Sequence, residues 1–111
     1  MIIDTKVTDA PGPHAPPVLE ELAVPGSDDR IVLIDPDIAP ADRPFRNLFR
    51  LNSQRRAVWQ AELPGPEAMR GSDSYVEIRW DGPSIAANTW SGWYVLIDPE
   101  TGQIRSKEFV K

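Results

Sequence analysis

From residue 74 to the C-terminus the chain is broken at short intervals by residues that reverse its direction, and this punctuation constrains the fold more than any other feature. Asp81-Gly82, Ser91-Gly92 and Asp98-Pro99-Glu100-Thr101-Gly102 separate four strand-length runs at 74–80, 85–90, 93–98 and 103–109. The first run alternates. Val76, Ile78 and Trp80 fall on one side and Tyr75, Glu77 and Arg79 on the other, which is the period of a half-buried antiparallel strand. Asp81-Gly82 supplies the positive φ that a short hairpin needs, and Pro83, with no N–H for a ladder, belongs at the loop edge. Only Ser91-Gly92 separates Trp90 from Trp93, which reads as a second two-residue hairpin. The third run is apolar on both sides, Tyr94 and Leu96 against Trp93, Val95 and Ile97, and is expected at the centre of a sheet. In the last turn Asp98 caps, Pro99 presets φ and Gly102 takes the left-handed position.

Upstream the same pattern is looser. Residues 1–7 alternate weakly, with Ile3, Thr5 and Val7 on one side, and read as a short edge strand. Residues 9–17, rich in proline and holding the sole histidine, His14, read as an extended loop. The run Val18-Leu19-Glu20-Glu21-Leu22-Ala23 follows Pro16-Pro17; proline and acidic residues suit a first helical turn, so either a turn or two of helix or a packed loop is expected. Residues 31–36 form a buried-type strand, followed by an irregular connection held by Pro36, Pro40 and Pro44. Residues 46–52 return as a strand with Asn47, Phe49 and Leu51 on one side. Residues 57–63 follow with Ala57, Trp59, Ala61 and Leu63 on one face, before a Pro/Gly linker at 64–71.

No window carries a sustained helical period, and twelve prolines make the chain turn-rich. The reading is an all-β antiparallel meander of seven or eight strands, either one curled sheet or a two-layer sandwich. At 111 residues this is a single domain, able to bury roughly two thirds of its unfolded surface. Its parts are a proline-rich segment at 1–30, a first repeat at 31–63 and a second, four-stranded repeat at 72–111. Val32 to Pro36 and Val95 to Pro99 spell the same five residues. Laid without a gap, Leu51 meets Ile97, Asn52 meets Asp98 and Val58 meets Ile104, while Arg56 stands where Gly102 stands. A non-glycine residue in that left-handed position costs about 1 kcal/mol.

The stretch 47–63 resembles the outer hairpin of a quinoprotein-type β-propeller blade, and 93–109 resembles a second copy. The span 31–111 also resembles short bacterial proteins of uncharacterised function that share its ending, Trp90-Ser91-Gly92, then Asp98-Pro99-Glu100-Thr101-Gly102, then Phe109-Val110-Lys111. The resemblance implies blade-like repeats and not a closed propeller, since rings need typically four to eight blades. It implies no ring-centre cofactor.

Net charge of −5 argues against nucleic acid or an anionic membrane surface as partner, and favours a basic protein partner. The absence of cysteine excludes disulfides and thiolate chemistry. Without a basic n-region and apolar run at the N-terminus, or a membrane-length apolar stretch, the expected compartment is the cytoplasm. Open meander edges leave a homodimer as a further expectation.

The tryptophans are the most informative side chains. Trp80, Trp90 and Trp93, with Trp59 upstream, combine apolar area with an N–H, a combination that serves cores and interfaces alike. Trp90 and Trp93 flank a hairpin, so at least one is expected near the surface, forming a binding patch with Glu77, Arg79, Asn88 and Tyr94 beside Trp80. Asp35, Asp37 and Asp42 fail the EF-hand spacing, with Pro40 where glycine is needed and Arg46 in place of the final Glu, and read as Asx turns. Arg43, Arg46, Arg50, Arg55 and Arg56 among Phe45 and Phe49 could stack and pair with single-stranded nucleic acid, but the acidic whole favours an internally paired strand. Glu77 and Asp81 are the best carboxylate pair, yet nothing joins His14 or Ser91 to a catalytic group, and no metal-ligand set is present. The expectation is a non-enzymatic, acidic protein-binding module, with an immunity or antitoxin-like role as a special case. The alternatives are a small-molecule or carbohydrate-binding domain or minimal hydrolase, and a self-associating β-unit.

Overall fold

The computed structural model describes residues 17–38, 44–65 and 73–110. The strand expected at 1–7, the loop with His14, Asp42 and Arg43 lie outside the described residues. Among the described residues, eight strands form two four-stranded antiparallel meanders. The first sheet holds β1 (Val18–Ala23), β2 (Arg30–Ile34), β3 (Leu48–Leu51) and β4 (Ala57–Gln60) in that order. The second holds β5 (Tyr75–Asp81), β6 (Ser84–Thr89), β7 (Trp93–Ile97) and β8 (Ile104–Phe109). Between β2 and β3 lies a short 3-10 turn, Pro36–Ile38. The fold is therefore all-β in its two-sheet form, with no closed barrel or propeller among the described residues. No helix among the described residues is long and apolar enough to cross a membrane.

Alternation within the strands builds the interior. Ile31, Leu33, Leu48 and Trp59 of the first sheet meet Ile78, Ile85, Ala87, Val95 and Ile97 of the second in one shared core. Full burial of each large aliphatic side chain stabilises by about 1.5–3 kcal/mol. The intervening residues Val32, Ile34, Phe49 and Leu51 form a second buried cluster on the other side of the first sheet, which explains why β2 is apolar throughout.

Polar groups join the sheets at both ends. Asn47, fully buried, donates through Nδ2 to Ile34 O and Tyr75 O, both at 2.8 Å, and accepts from Tyr75 N at 2.9 Å. Rather than sharing the side of Phe49 and Leu51 as an ordinary strand residue, it bridges the layers. At the opposite end Pro99 O accepts from Trp59 Nε1 and Arg50 Nη1, each at 2.8 Å, and Arg50 Nε pairs with Asp29 at 2.8 Å.

The two sheets share one internal register. In the first, pairing passes from Val18↔Ile34 to Glu20↔Leu33, stepping over Leu19; in the second it passes from Tyr75↔Thr89 to Glu77↔Asn88, stepping over Val76. Each also has an irregularity in its last strand, over Val58 between Arg50↔Trp59 and Leu51↔Ala57, and over Arg105 between Leu96↔Ser106 and Ile97↔Ile104. An extra residue locally rotates the side chains that follow it.

These bulges correct the sequence reading in two strands. Tyr75 joins Ile78 and Trp80 on the core side instead of Glu77 and Arg79. Ala57 packs on the second cluster while Trp59 enters the shared core, so the two do not share a face. The run 18–23 is a strand, not a helical turn or loop. Six residues are too few for a self-supporting helix, and the ladder with β2 satisfies their backbone instead.

The turns differ as well. Asn52 N donates to Arg56 O at 2.8 Å, and Asp98 N donates to Gln103 O at 2.8 Å, so Arg56 corresponds to Gln103. The upstream turn is one residue shorter, and its left-handed residue is Arg55 (φ 64°), the counterpart of Gly102 (φ 78°). At the first hairpin of the second sheet Asp81 pairs with Ser84, leaving Gly82-Pro83 as the loop, and only Gly82 has positive φ (59°). The Trp90 hairpin is wider than two residues. Thr89 still pairs with Tyr75, the turn is Trp90-Ser91-Gly92, and Trp93 N donates to Thr89 Oγ1 at 3.0 Å.

Candidate functional site

The solvent-facing side of the second sheet gathers four of the seven candidate residues. Residues opposite one another in a ladder share a face. One row therefore runs Glu77, Asn88, Tyr94, Glu108 and the next Arg79, Ala86, Leu96, Ser106. The Arg79 guanidinium lies 5.5 Å from the Tyr94 ring centroid, donates to Asn88 Oδ1 at 3.4 Å and stands 3.9 Å from Glu77. Tyr94 reaches past the buried Ala86 to donate its hydroxyl to Asp81 Oδ2 at 3.3 Å. Glu77, Arg79, Asn88 and Tyr94 thus form one network with Asp81.

Trp80 and Trp93 lie on the opposite side of that sheet. Trp80 packs against the shared core and donates Nε1 to Ala23 O at 3.1 Å, joining β5 to β1. Trp93 meets Phe109 edge to face at 5.3 Å, with Lys107 Nζ 5.5 Å over its ring. Four of the seven residues are thus brought together, while alternation sends Trp80 and Trp93 inward.

Trp90 projects from the turn and is 68 % exposed. Its position is nonetheless fixed. Trp90 N donates to Ser74 O at 2.8 Å, and Ser91 donates through N and Oγ to the two carboxylate oxygens of Asp73, at 3.0 and 2.8 Å. Asp73 also accepts from Ser74 N at 2.9 Å and is buried. Val110 N donates to Gly92 O at 2.9 Å, which brings the half-exposed Phe109 and Val110 to the same end of the sheet. Asp73 and Val110 were missing from the sequence-based site. An aspartate just ahead of a strand is the cue for the first, but its partner, Ser91, lies a hairpin away.

The solvent-facing side is acidic. Glu77, Asp81 and Glu108, with Asp98 at its rim, outnumber Arg79 and Arg105, and Arg105 is held by Ser84 Oγ at 2.7 Å and Asp98 at 3.4 Å. The Glu100 N–H, and secondarily the Arg105 charge, hold the Asp98 carboxyl below its ordinary range.

Three of the five arginines of the basic run are engaged within the protein. Arg46 donates to Ala61 O and Gln60 O, Arg50 pairs with Asp29, and Arg55 stands 3.4 Å from Glu21. Phe49 is buried, so it offers no stacking platform. Asp35 accepts from Asp37 N at 2.9 Å, the Asx turn expected there. Among the described residues no group of three or more acidic, His or Cys side chains is placed to hold a metal ion. Among the described residues a concave surface lies elsewhere, in a cleft between the two sheets, and none of the seven candidates lines it.

No curated protein and no solved structure matches the chain. Residues 23–109 match the family model described as Domain of unknown function (DUF7957), a match that begins at the last residue of β1 and ends with β8. That span takes in seven of the eight strands, the Asp73–Ser91 clamp and the projecting Trp90, and on it the protein belongs to the DUF7957 family.

Proposed function

We propose that the protein is a non-enzymatic binding module whose partner is a basic protein that docks on the Trp90 turn and the adjoining acidic side of the second sheet. The exposure of Trp90 on a hydrogen-bonded turn carries this reading. An indole in water forgoes the burial that most tryptophans find, and a rigid aromatic loses little entropy when a partner covers it. Phe109 and Val110 extend the apolar contact, while Asp81, Glu77 and Glu108 supply the charge that steers a cationic partner. An immunity or antitoxin-like role is the special case that this charge fits. The structure favours protein contact over a carbohydrate platform in one respect: Arg79 covers the Tyr94 ring, and Trp80 and Trp93 face inward.

The test compares wild type and Trp90→Ala as baits in lysate of the source cells. A basic protein retained stoichiometrically by wild type, released at raised ionic strength and lost with folded Trp90→Ala is the expected result. A partner held equally by both baits, or recovery of bait alone, counts against the reading.

A further inference from the structure

A sheet edge exposes backbone N–H and C=O groups that pair with any strand offered to them, and folds usually blunt such edges. Three of the four edges here carry specific bonds to outward-facing main-chain groups. On β5, Asn47 satisfies both Tyr75 N and Tyr75 O, and Glu20 Oε1 accepts from Ile78 N at 3.0 Å. On β1, Ala23 O accepts from Trp80 Nε1. At the end of β4, Arg46 Nη2 donates to Gln60 O at 3.0 Å.

The fourth edge, β8, carries none among the described residues. Val110 N bonds Gly92 O, so by ladder alternation Glu108 and Ser106 face β7, and the N–H and C=O of Lys107 and Phe109 face away. Among the described residues no group pairs with them. This edge borders a cleft. A cavity of about 450 Å³ lined by Arg46, Gln60, Glu62, Gln103 and Ile104 adjoins a second of about 330 Å³ that shares Glu62 and Ile104 and reaches Lys107. The far wall, residues 60–64, continues β4, and Lys107 Nζ bonds Pro64 O across the gap at 3.0 Å.

We propose that this cleft is a strand-addition site, in which an extended segment of a different polypeptide pairs with the main chain of Lys107 and Phe109 and becomes a fifth strand of the second sheet. Main-chain bonds give such a complex its affinity and alternate side chains its selectivity. The cleft places Arg46 and Lys107 at its ends with Glu62 between, a local excess of positive charge on a chain of net charge −5. The inserted segment therefore carries a carboxylate on its cleft-facing side, opposite Lys107. A second copy of β8 fits poorly. Antiparallel self-pairing centred on Ser106, Lys107 or Glu108 sets Arg105 opposite Lys107, Lys107 opposite itself, or Glu108 opposite itself, and like charges directly opposite are destabilising. The inference does not rest on Trp90.

The test pans a phage-displayed library of random linear peptides against the full chain and titrates the selected peptides, synthesised, into isotope-labelled protein. The expected peptides carry an acidic residue among β-forming ones and slow the exchange of the Lys107 and Phe109 amides, which exchange fast in the free protein. Lys107→Pro removes an outward N–H without touching the ladder to β7, so it is tolerated in the fold and weakens peptide binding by about tenfold or more. Lys107→Ala keeps the N–H and weakens binding by no more than about threefold, the worth of an exposed ion pair. Trp90→Ala binds the peptides as wild type does, which separates this site from the one proposed above. The proposal is overturned if no peptide is selected, if selected peptides protect neither amide, or if Lys107→Pro binds them as wild type does. A concentration-dependent dimer abolished by Lys107→Pro would assign the edge to a second copy and also overturn it. Should Lys107→Pro fail to fold, the exchange measurement on wild type decides alone.

Discussion

The Trp59 indole rests on the backbone of Gly102, so close that a Cβ built on the glycine comes within 2.6 Å of the Trp59 Cδ2 atom. Trp59 sits on β4 of the first sheet and Gly102 in the last turn of the second, so this contact, with the Trp59 and Arg50 bonds to Pro99 O, is where the two repeats dock. Gly102 serves two ends at once. It takes a left-handed φ of 78°, and it has no side chain where the indole lies.

Gly102→Ala is therefore expected to be among the most damaging single-methyl additions to the protein. Left-handed strain of about 1 kcal/mol adds to overpacking of about 1–3 kcal/mol, because the rigid indole cannot swing aside. Urea unfolding should show a loss of about 2–4 kcal/mol, and a loss near that of strain alone would mean the sheets slide apart to admit the methyl.

The upstream turn carries the opposite opportunity. Arg55, with φ 64°, holds a side chain where glycine would be relaxed. Arg55→Gly relieves that strain but forgoes the exposed pairing with Glu21 and adds freedom to the unfolded chain, so the net gain is about 0.5 kcal/mol. Arg56→Gly relieves nothing. Thermal unfolding of the two variants should separate them, with Arg55→Gly the higher and Arg56→Gly at or below wild type.

The difference between those two arginines shows what was legible in the chain. Strand positions, the repeat and the all-β class follow from local alternation and turn residues, which act within a few residues of themselves. Bulges do not: Val76 and Val58 look like ordinary strand residues, and only the pairing partner reveals that they are stepped over. The gapless alignment therefore put the left-handed position one residue too late, and alternation put Tyr75 on the wrong face. Residues 18–23 failed for a related reason, since Pro16-Pro17 and Glu20-Glu21 favour a helix start locally while the ladder with β2 decides the outcome. Of the candidate site, Trp90 and the Glu77, Arg79, Asn88, Tyr94 network were legible as surface residues. The β8 edge and the Asp73 clamp were not, because both depend on contacts between distant segments.

Tyr75 gives the fold an alkaline limit. Its hydroxyl donates to Glu62 O at 2.6 Å, and burial, reinforced by the nearby Asp73 charge, pushes the phenol well above its ordinary value near 10. The folded protein then holds a proton that the unfolded chain releases, so stability is fully present below about pH 10 and falls as pH rises beyond it. Tyr75→Phe should lose about 1 kcal/mol at neutral pH and flatten the decline above pH 10 in a series of urea melts. A decline equally steep in the variant would assign the alkaline limit to other groups.

Asn47 is expected to tolerate no substitution. Asn47→Ala leaves Ile34 O, Tyr75 O and Tyr75 N buried without partners, and each such group costs about 1–3 kcal/mol. Asn47→Asp keeps the acceptor but aims a second one at two carbonyl oxygens. Both variants should unfold at markedly lower urea than wild type, and a stable Asn47→Asp would show that the carbonyls find other donors.

Asp73 links stability to the exposed Trp90 turn, and two substitutions separate its charge from its hydrogen bonds. Asp73→Ala strips the acceptor from Ser74 N, Ser91 N and Ser91 Oγ at a buried position, at a cost of about 2–3 kcal/mol. Asp73→Asn keeps one oxygen for the two N–H groups, and the Ser91 hydroxyl can rotate to accept from the new amide, so the cost stays near 1 kcal/mol. Hydrogen exchange at the Ser91 amide should accelerate strongly in the alanine variant and little in the asparagine one. If the turn is what presents Trp90, partner capture follows the same order, with Asp73→Ala weak and Asp73→Asn close to wild type. Equal capture by all three proteins would mean that the indole alone, and not its rigid mounting, makes the contact.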